Sequence, residues 1–379
     1  MRSPVPEYLD DVLRACVEEP PGAIAITTVD DAHHGAGDLE HRFTIQSMSK
    51  PFAYALAIEE LGWDAVHERI DVEPSGEAFN EISLDSETGR PHNAMINAGA
   101  IATAGLIGSF EKVAEFLSAL AGRSLEVDEE ALEAEGEESH RNLALAHLLA
   151  AYEIIDDPVE AVEHYLRQCA LSVDVRDLAA MAAVLANGGV HPDSGERLMG
   201  ERTARQVLSV MATCGMYDDA GDWLSSVGIP AKSGVSGGII GVLPGQVGVA
   251  VFSPGLDDHG TSEAGVEMMR RLSEDMGMHL MNPGRPSRSA LADVRVDDDE
   301  SVYVLSGDLM FASAESLFRH LLDSPPETST VVLDIGRVGV VSDVGRRMAL
   351  EAKSRLEQDG FTVRVVDADG EDRLGQAAG

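Results

Sequence analysis

The pattern of apolar and polar positions changes several times in the first part of the chain, and each change predicts a different element. Residues 7–18 (EYLDDVLRACVE) carry apolar side chains at helical spacing, which predicts a short amphipathic helix. The runs at 22–30 (GAIAITTVD) and 41–46 (HRFTIQ) are rich in β-forming residues and predict two strands. A helix is predicted over 51–62, because proline lies just inside its start and glycine at its end.

Loop, helix and strand patterns follow in that order through the middle of the chain. Residues 69–102 are rich in small and polar side chains and predict loops, whereas helical patterns dominate from 104 to 215. From 227 onward, glycine-rich turns separate β-branched runs, which predicts antiparallel strands. A helix predicted over 262–280 closes this part.

The pattern restarts after residues 282–290, a stretch rich in Pro, Gly, Ser and Arg that predicts a linker. Beyond it, strand-like and helical runs alternate over roughly 90 residues, which is typical of a small independent α/β unit. A chain of 379 residues also favours two domains, because a single core rarely grows past about 250–300 residues. We therefore predict one domain at 1–281 and a second at 291–379.

The charge of the chain excludes several classes of partner. It has 66 acidic against 28 basic side chains, a formal net charge of −38, and a field of that sign repels nucleic acid and anionic membranes. No apolar run reaches the ~18 residues of a membrane span, and the N-terminus lacks the apolar segment of a signal peptide. Three well-separated cysteines without metal-ligand spacing predict a cytoplasmic protein with reduced thiols and no metal. A reactive Cys214 is the alternative for one of them.

Lysine is scarce in this sequence. Only four of the 28 basic residues are lysines: Lys50, Lys112, Lys232 and Lys353. Strong acidity with little lysine suits a halophilic protein that stays soluble in concentrated salt, although a high-GC codon bias would also replace lysine by arginine. A buried lysine can lose its proton, whereas arginine stays charged. A lysine retained in this sequence is therefore a candidate for acid–base chemistry.

Ser47 and Lys50 form the first candidate for catalysis. They are spaced i and i+3 in SMSK at the start of a predicted helix, so they share one helix face. A neutral lysine can take the proton of a serine hydroxyl and make it a nucleophile, and S-x-x-K is the nucleophile motif of penicillin-recognising hydrolases. An N-cap serine followed by a surface lysine is the alternative.

Two further motifs fit the same chemistry. Lys232 opens K-S-G, the companion motif in the same class of hydrolases, which adds a second cation and an edge-strand backbone that can bind an oxyanion. Tyr217 in CGMYD precedes it by a short loop and can relay a proton to a leaving amine. The alternatives are a turn with a solvated lysine and a half-buried core tyrosine. Asn93 and Asn97 in HNAMINAGA either bind a zwitterionic ligand or form turns and caps.

Five blocks together resemble the serine-type glutaminases of bacteria and animals: FTIQSMSKPFAYALAIEELG, EPSGEAFN, HNAMINAGAIA, CGMYD and PAKSGVSGG. The resemblance covers roughly residues 5–280. It implies hydrolysis of L-glutamine to L-glutamate and ammonia through an acyl-enzyme, with no cofactor. It also implies a β-lactamase-like fold, with an antiparallel sheet, flanking helices and an all-α subdomain, and a homodimer or homotetramer.

The resemblance also assigns site residues by motif. Ser47 becomes the nucleophile, Lys50 the base and Tyr217 the proton relay. The substrate-binding residues that it implies, besides Ser47 and Tyr217, are Asn97, Glu135, Asn142, Tyr165 and Val235. Tyr8 resembles an N-terminal family tyrosine near the nucleophile, and Lys232 is a further candidate. The family has aspartate where this chain has His140, and proline where it has Ala94.

Residues 291–379 resemble a STAS domain, the small α/β fold of anti-sigma-factor antagonists, through LSGDLMFASAESLFRHL and VVLDIGRVGVVSDVGRRM. The resemblance implies a regulatory protein partner. Some such domains are phosphorylated on a serine just before the glycine of a helix start, but Val344 stands there and Ser342 is a poor substitute. Two other functions stay open: a related β-lactamase or peptidase, and a non-catalytic regulator acting through this tail.

Overall fold

A computed structural model describes residues 4–17, 21–76, 84–137, 139–282, 290–297, 299–367 and 373–374. The chain packs as two compact units, residues 1–282 and 283–379. Most of the predicted linker lies outside the described residues. No helix among the described residues combines the length and the apolar character that crossing a membrane requires.

The first unit combines twelve helices and seven strands in the described ranges. The helices are α1 (Val5–Cys16), α2 (Lys50–Leu61), α3 (Trp63–His67), α4 (Asn97–Ile107), α5 (Phe110–Ala121), α6 (Glu129–Glu137), α7 (His140–Ala151), α8 (Pro158–Cys169), α9 (Val175–Ala186), α10 (Glu201–Cys214), α11 (Ala220–Ser226) and α12 (Glu263–Met276). The strands are β1 (Ala23–Thr28), β2 (His33–Gly37), β3 (Phe43–Thr44), β4 (Ser172–Val173), β5 (Ala231–Ser233), β6 (Gly238–Leu243) and β7 (Val247–Phe252). Two 3₁₀ turns, Gln46–Ser49 and Tyr217–Asp219, lie at the site described below.

Five of these strands form one antiparallel sheet in the order β2-β1-β7-β6-β5. Because side chains alternate across a strand, Ile24 and Ile26 of β1 pack into a core with α1 and α12, whereas Ala23 and Ala25 pack into the core of the helical part. Both faces are therefore covered, which explains why β6 and β7 are apolar at nearly every position.

Helices α2 and α4 are central to the helical part. Both are buried around most of their circumference, as expected for helices that are apolar on all sides. Lys50 is the first residue of α2 and Asn97 the first of α4. Polar side chains at the starts of two buried helices are thereby held inside the unit.

The second unit is a four-stranded sheet with two helices. Its elements are β8 (Leu291–Asp297), β9 (Glu300–Leu309), α13 (Phe311–Asp323), β10 (Thr330–Val341), α14 (Asp343–Gln358) and β11 (Thr362–Val366). The order is β11-β10-β9-β8, parallel except for the antiparallel edge strand β8. Ser342 caps α14: its hydroxyl donates to the Leu309 carbonyl and accepts from the Gly345 N–H.

The predicted fold class is confirmed, with an antiparallel sheet, flanking helices, an all-α part and a C-terminal α/β unit. Three details differ from the expectation. The strand predicted at 41–46 is limited to Phe43–Thr44, because the chain turns into 3₁₀ geometry at Gln46. The predicted loop at 69–102 ends at residue 96, because α4 begins at Asn97. Strand β2 (HHGAG) has no apolar alternation, and its position at the sheet edge explains why.

Candidate active site

Ser47 lies in the tight turn that leads into α2. Gln46 has a positive φ of 50°, an uncommon conformation for a residue with a side chain. The Ser49 hydroxyl holds the turn: it donates to the Gln46 carbonyl at 2.7 Å and accepts from Gln168 Nε2 at 2.8 Å. Ser47 itself is 7% exposed, so the hydroxyl lies at the edge of the buried interior.

Lys50 is buried, with 1% of its surface exposed. Its Nζ donates to the Met95 carbonyl at 3.1 Å and to Asn97 Oδ1 at 2.7 Å. Both acceptors are neutral, and burial lowers the pKa of Lys50 to about 7, because a low-dielectric environment disfavours the charged form. The alternative of a surface lysine is therefore wrong, and a neutral Lys50 amine is accessible near pH 7.

Lys232 on edge strand β5 is fully buried as well. Its Nζ donates to the Tyr217 hydroxyl at 2.6 Å and to the Ser233 carbonyl at 2.8 Å. Burial lowers the pKa of Lys232 well below its usual value, and the nearby Lys50 lowers it further. The alternative of a solvated turn lysine is wrong.

Tyr217 connects Lys232 to Ser47. It has a positive φ of 57° in its 3₁₀ turn, and the centroid of its ring lies 3.8 Å from Lys232 Nζ and 5.7 Å from Lys50 Nζ. Burial raises the pKa of its phenol, and a hydrogen bond with Ser47 opposes that rise. A neutral phenol at this position can pass a proton to or from the serine oxygen.

A polar network lies beside Lys50. Asn97 Oδ1 accepts from Lys50 and from the Tyr165 hydroxyl, the latter at 3.2 Å, and Asn97 Nδ2 donates to Asn142 Oδ1 at 3.2 Å. Tyr165 is buried, and burial raises its pKa. Helices α4, α7 and α8 thus contribute one polar side chain each to the same pocket.

Glu135 on α6 contacts the nucleophile turn, because Gln46 Nε2 donates a hydrogen bond to its carboxylate. Burial raises the pKa of Glu135, and the Gln46 hydrogen bond opposes that rise. The sequence interpretation did not single out Gln46 or Gln168. The one sequence signal for a role of Gln46 is its position directly before Ser47. The sequence gives no such signal for Gln168.

The loop after K-S-G packs against the nucleophile turn. A side chain at Gly234 would meet Met48 Cε at 3.1 Å and the Ile45 carbonyl at 3.4 Å, so the absence of a side chain permits the close approach. Val235 follows, and its side chain is 44% exposed. Val235 thus lies at the solvent-facing side of this turn, and its substrate contact stays a prediction.

Two predicted ligand contacts lie outside the network. Asn93 Oδ1 accepts the backbone N–H groups of Met95 and Ile96, which is the alternative role of a turn residue. The Tyr8 hydroxyl donates to Asp275 on α12 at 2.9 Å. The structure therefore does not bring Tyr8 to Ser47, because α1 packs with α12 on the far face of the sheet. The block EPSGEAFN lies partly outside the described residues.

One group of side chains has ligand atoms close enough for a cation. Asp218, Asp219 and His259 place theirs within 4.8 Å of one another, and it is the one such group of three or more among the residues that the structure describes. Asp218 and His259 are exposed and Asp219 is half-buried, and His259 contacts both aspartates. This geometry fits an ion-pair cluster.

Comparison with known proteins gives two family matches. A family model described as Glutaminase matches residues 5–281, and one described as STAS domain matches residues 292–373. A glutaminase of Corynebacterium efficiens is 46% identical over 390 residues, which covers 96% of this chain and 92% of that protein.

Solved structures of Mglu have the same fold. One has a TM-score of 0.88 at 44% identity and covers 98% of this chain and 100% of that chain. Another, of Mglu in its L-glutamate binding form in the presence of 4.3 M NaCl, has a TM-score of 0.87 at 40% identity and covers 98% and 99%.

Proposed function

The chain belongs to the glutaminase family, and from this premise we propose that it hydrolyses L-glutamine through an ester on Ser47, with Lys50 as the base. The observation that carries the proposal is the burial of Lys50 between neutral acceptors, with its pKa lowered to about 7. A base with a pKa close to the working pH combines an available lone pair with useful basicity.

In the first half of the reaction, Ser47 Oγ loses its proton to Lys50 and bonds to the side-chain amide carbon of glutamine. Backbone N–H groups of Ser47 and Val235 stabilise the resulting oxyanion. The proton passes from Lys50 through Tyr217 to the amide nitrogen as its bond to carbon breaks, and ammonia leaves. The hydrogen bonds from Lys232 to Tyr217 and between Tyr217 and Ser47 support this relay.

In the second half, water adds to the ester carbon and gives its proton to the Lys50–Tyr217 relay. The bond from carbon to Ser47 Oγ then breaks, the oxygen regains a proton, and L-glutamate leaves. The chain ends in its starting protonation state, so each turnover consumes one water and needs no redox partner.

The α-carboxylate and α-ammonium of glutamine are bound by Asn97, Glu135, Asn142, Tyr165 and Tyr217. Glu135 is the counter-charge for the ammonium, because an unpaired buried charge is costly. The raised pKa of Glu135 agrees with this assignment. Burial disfavours its carboxylate form, and the ammonium of a bound substrate would stabilise that charge. A structure of Mglu, 40% identical to this chain, is described as its L-glutamate binding form, which supports an amino-acid site here.

The direct test is ammonia release from L-glutamine and L-asparagine by the wild type and Ser47→Ala. We expect the variant to lose at least 10³-fold in kcat, and Ser109→Ala, at an exposed helix cap, to retain wild-type activity. Acid-quenched wild-type enzyme should gain the mass of one γ-glutamyl group on Ser47. Near-full activity of Ser47→Ala would disprove the mechanism.

The same assay separates the two rival functions. Nitrocefin turnover without glutamine turnover would favour a β-lactamase-like hydrolase. A protein partner lost on deleting residues 291–379, with no hydrolase activity, would favour a regulator.

We also propose that the protein works in the cytoplasm at high salt, as a homo-oligomer. The net charge of −38 supports the salt proposal, as does the Mglu structure in 4.3 M NaCl. A glutaminase activity maintained across a molar NaCl series would agree with it. Light scattering in the same series would give the oligomeric state. A regulatory partner of the STAS domain stays a prediction.

A further inference from the structure

His259 lies outside the network described above, yet it contacts the two carboxylates that follow Tyr217. Its Nδ1 is 3.3 Å from Asp218 Oδ2 and 3.3 Å from Asp219 Oδ2. Both aspartates belong to the 3₁₀ turn that Tyr217 begins. The mechanism proposed above gives His259 no role.

The backbone that carries His259 is held in place by its own hydrogen bonds. Asp257 Oδ1 accepts from the backbone N–H groups of His259 and Thr261, both at 2.9 Å. At the base of the loop, the Ser262 hydroxyl donates to the Ser253 carbonyl at 2.7 Å. His259 therefore extends from a fixed support.

The loop also contacts the opposite side of the site. A side chain built at Gly260 would meet Val235 Cγ1 at 3.4 Å, so the Gly260 backbone packs beside Val235. His259 and Gly260 are adjacent, and together they link the segment after K-S-G to the segment that carries Tyr217. The loop therefore contacts both Val235 and the turn of Tyr217, two residues that the proposed reaction needs at fixed positions.

The Tyr217 segment needs such a link for two reasons. A tyrosine at φ 57° occupies the left-handed region, which persists only where neighbouring structure enforces it. The turn also gathers negative charge: burial raises the pKa of Asp219, the pairing with His259 lowers it, and Asp218, Asp257 and Asp222 raise it. His259 lies between the Asp218 and Asp219 carboxylates, where its ring nitrogen can donate a hydrogen bond to them.

We propose that His259 is a positioning residue for Tyr217: it pairs with Asp218 and Asp219 and thereby fixes the direction of the Tyr217 phenol toward Lys232 and Ser47. The inference rests on the proton relay proposed above for Tyr217. It assigns His259 to the chemical step and gives it no contact with the substrate.

The test compares three variants at low ionic strength. His259→Glu places a third carboxylate beside Asp218 and Asp219, and His259→Arg supplies hydrogen-bond donors with a permanent positive charge. His33→Glu is the matched control, because His33 is also exposed, pairs with Asp31 at 2.9 Å and lies on β2, at the opposite edge of the sheet from β5. We expect His259→Glu to lower kcat about fivefold with KM changed less than about twofold, since exposed pairs contribute modestly. The other two variants should stay within about twofold of wild type.

Salt and hydrogen exchange distinguish a positioning role from a general loss of stability and from metal binding. In 1 M NaCl, where charges are screened beyond about 3 Å, the deficit of His259→Glu should shrink. Amide exchange over residues 215–222 should rise in His259→Glu and not in His33→Glu, whether or not the protein is active. Equal kcat in these two variants, an equal deficit in His259→Arg, or unchanged exchange would overturn the inference.

Two further outcomes concern a metal and the proposed function itself. Loss of wild-type activity in EDTA, restored by ZnCl₂, would replace the ion pair by a bound metal and overturn the inference. Absence of wild-type ammonia release would instead refute the proposed function, while amide exchange still decides the role of His259.

Discussion

Lys50 Nζ donates a 2.7 Å hydrogen bond to Asn97 Oδ1, so a neutral amide holds the amine of the expected base. A carboxylate at the same place would stabilise the ammonium form and keep Lys50 protonated. The other acceptor, the Met95 carbonyl, is also neutral, so burial dominates the pKa of Lys50. A neutral helix-start residue on α4 therefore leaves burial to set the protonation of Lys50 at the start of α2.

The first prediction concerns pH. Because the base must be neutral and the pKa of Lys50 is about 7, kcat/KM for L-glutamine should fall about tenfold per unit below that pH. Asn97→Asp should raise the pKa of Lys50 and move this acid limb upward by about one unit or more. A kcat/KM profile from about pH 5 to about pH 10 measures the limb. Asn187→Asp, at the end of α9, where Asn187 Nδ2 donates to the Val190 carbonyl, should leave the limb in place, and an unmoved limb in Asn97→Asp would contradict the assignment.

The second prediction concerns stability. The pKa of Lys50 falls from its ordinary 10.5 to about 7 in the folded chain, so the unfolded state binds more protons between these values. The free energy of unfolding must then rise with pH across that window. Lys50→Met should raise the melting temperature at pH 7 and weaken its pH dependence. The pH dependence that remains should come from Lys232, whose pKa burial also lowers. Thermal unfolding followed by circular dichroism at several pH values measures both. Parallel curves for the two proteins would count against burial of a titrating lysine.

The third prediction concerns the relay. Tyr217→Phe removes the hydroxyl that Lys232 and Ser47 share. We expect kcat to fall by about 10²–10⁴-fold, the usual contribution of a positioned proton donor, with KM changed less than about threefold. Steady-state ammonia release gives both constants. Tyr152→Phe, at a 45% exposed position, is the control and should behave as wild type. A rise in KM with kcat unchanged would contradict the relay and leave Tyr217 only its role in substrate binding.

The fourth prediction concerns substrate charge. Glu135→Gln removes the proposed counter-charge for the α-ammonium and should lower kcat/KM for L-glutamine by about 30-fold or more, the loss expected for a buried charge pair. Glutaramate, which has the amide and the carboxylate but no ammonium, should be hydrolysed equally by the variant and the wild type. Glu133→Gln, at an exposed position on the same helix, serves as control. An equal loss with both substrates would show that Glu135 acts on something other than the ammonium.

Much of the fold could be predicted because its signals are local. Helix α14 spans Asp343–Gln358, within the region where the pattern predicts alternating strands and helices, since caps and apolar period act within a few residues. The apolar runs of β6 and β7 predict strands, because both of their faces are buried. Strand β2 was not predicted, because its sequence has no apolar alternation. Backbone pairing with β1 at the sheet edge stabilises it.

The sequence by itself determined the candidate chemistry: the i, i+3 spacing of Ser47 and Lys50, the order of S-x-x-K before K-S-G, and the scarcity of lysine. Tertiary structure decided the rest. It buried Lys50 and Lys232, put the Tyr217 hydroxyl 2.6 Å from Lys232 Nζ, and directed Tyr8 to Asp275. The physical reason is that desolvation and hydrogen-bond partners come from elements far apart in the chain. Spacing fixes which side chains share a helix face, whereas packing fixes which of them lose their proton.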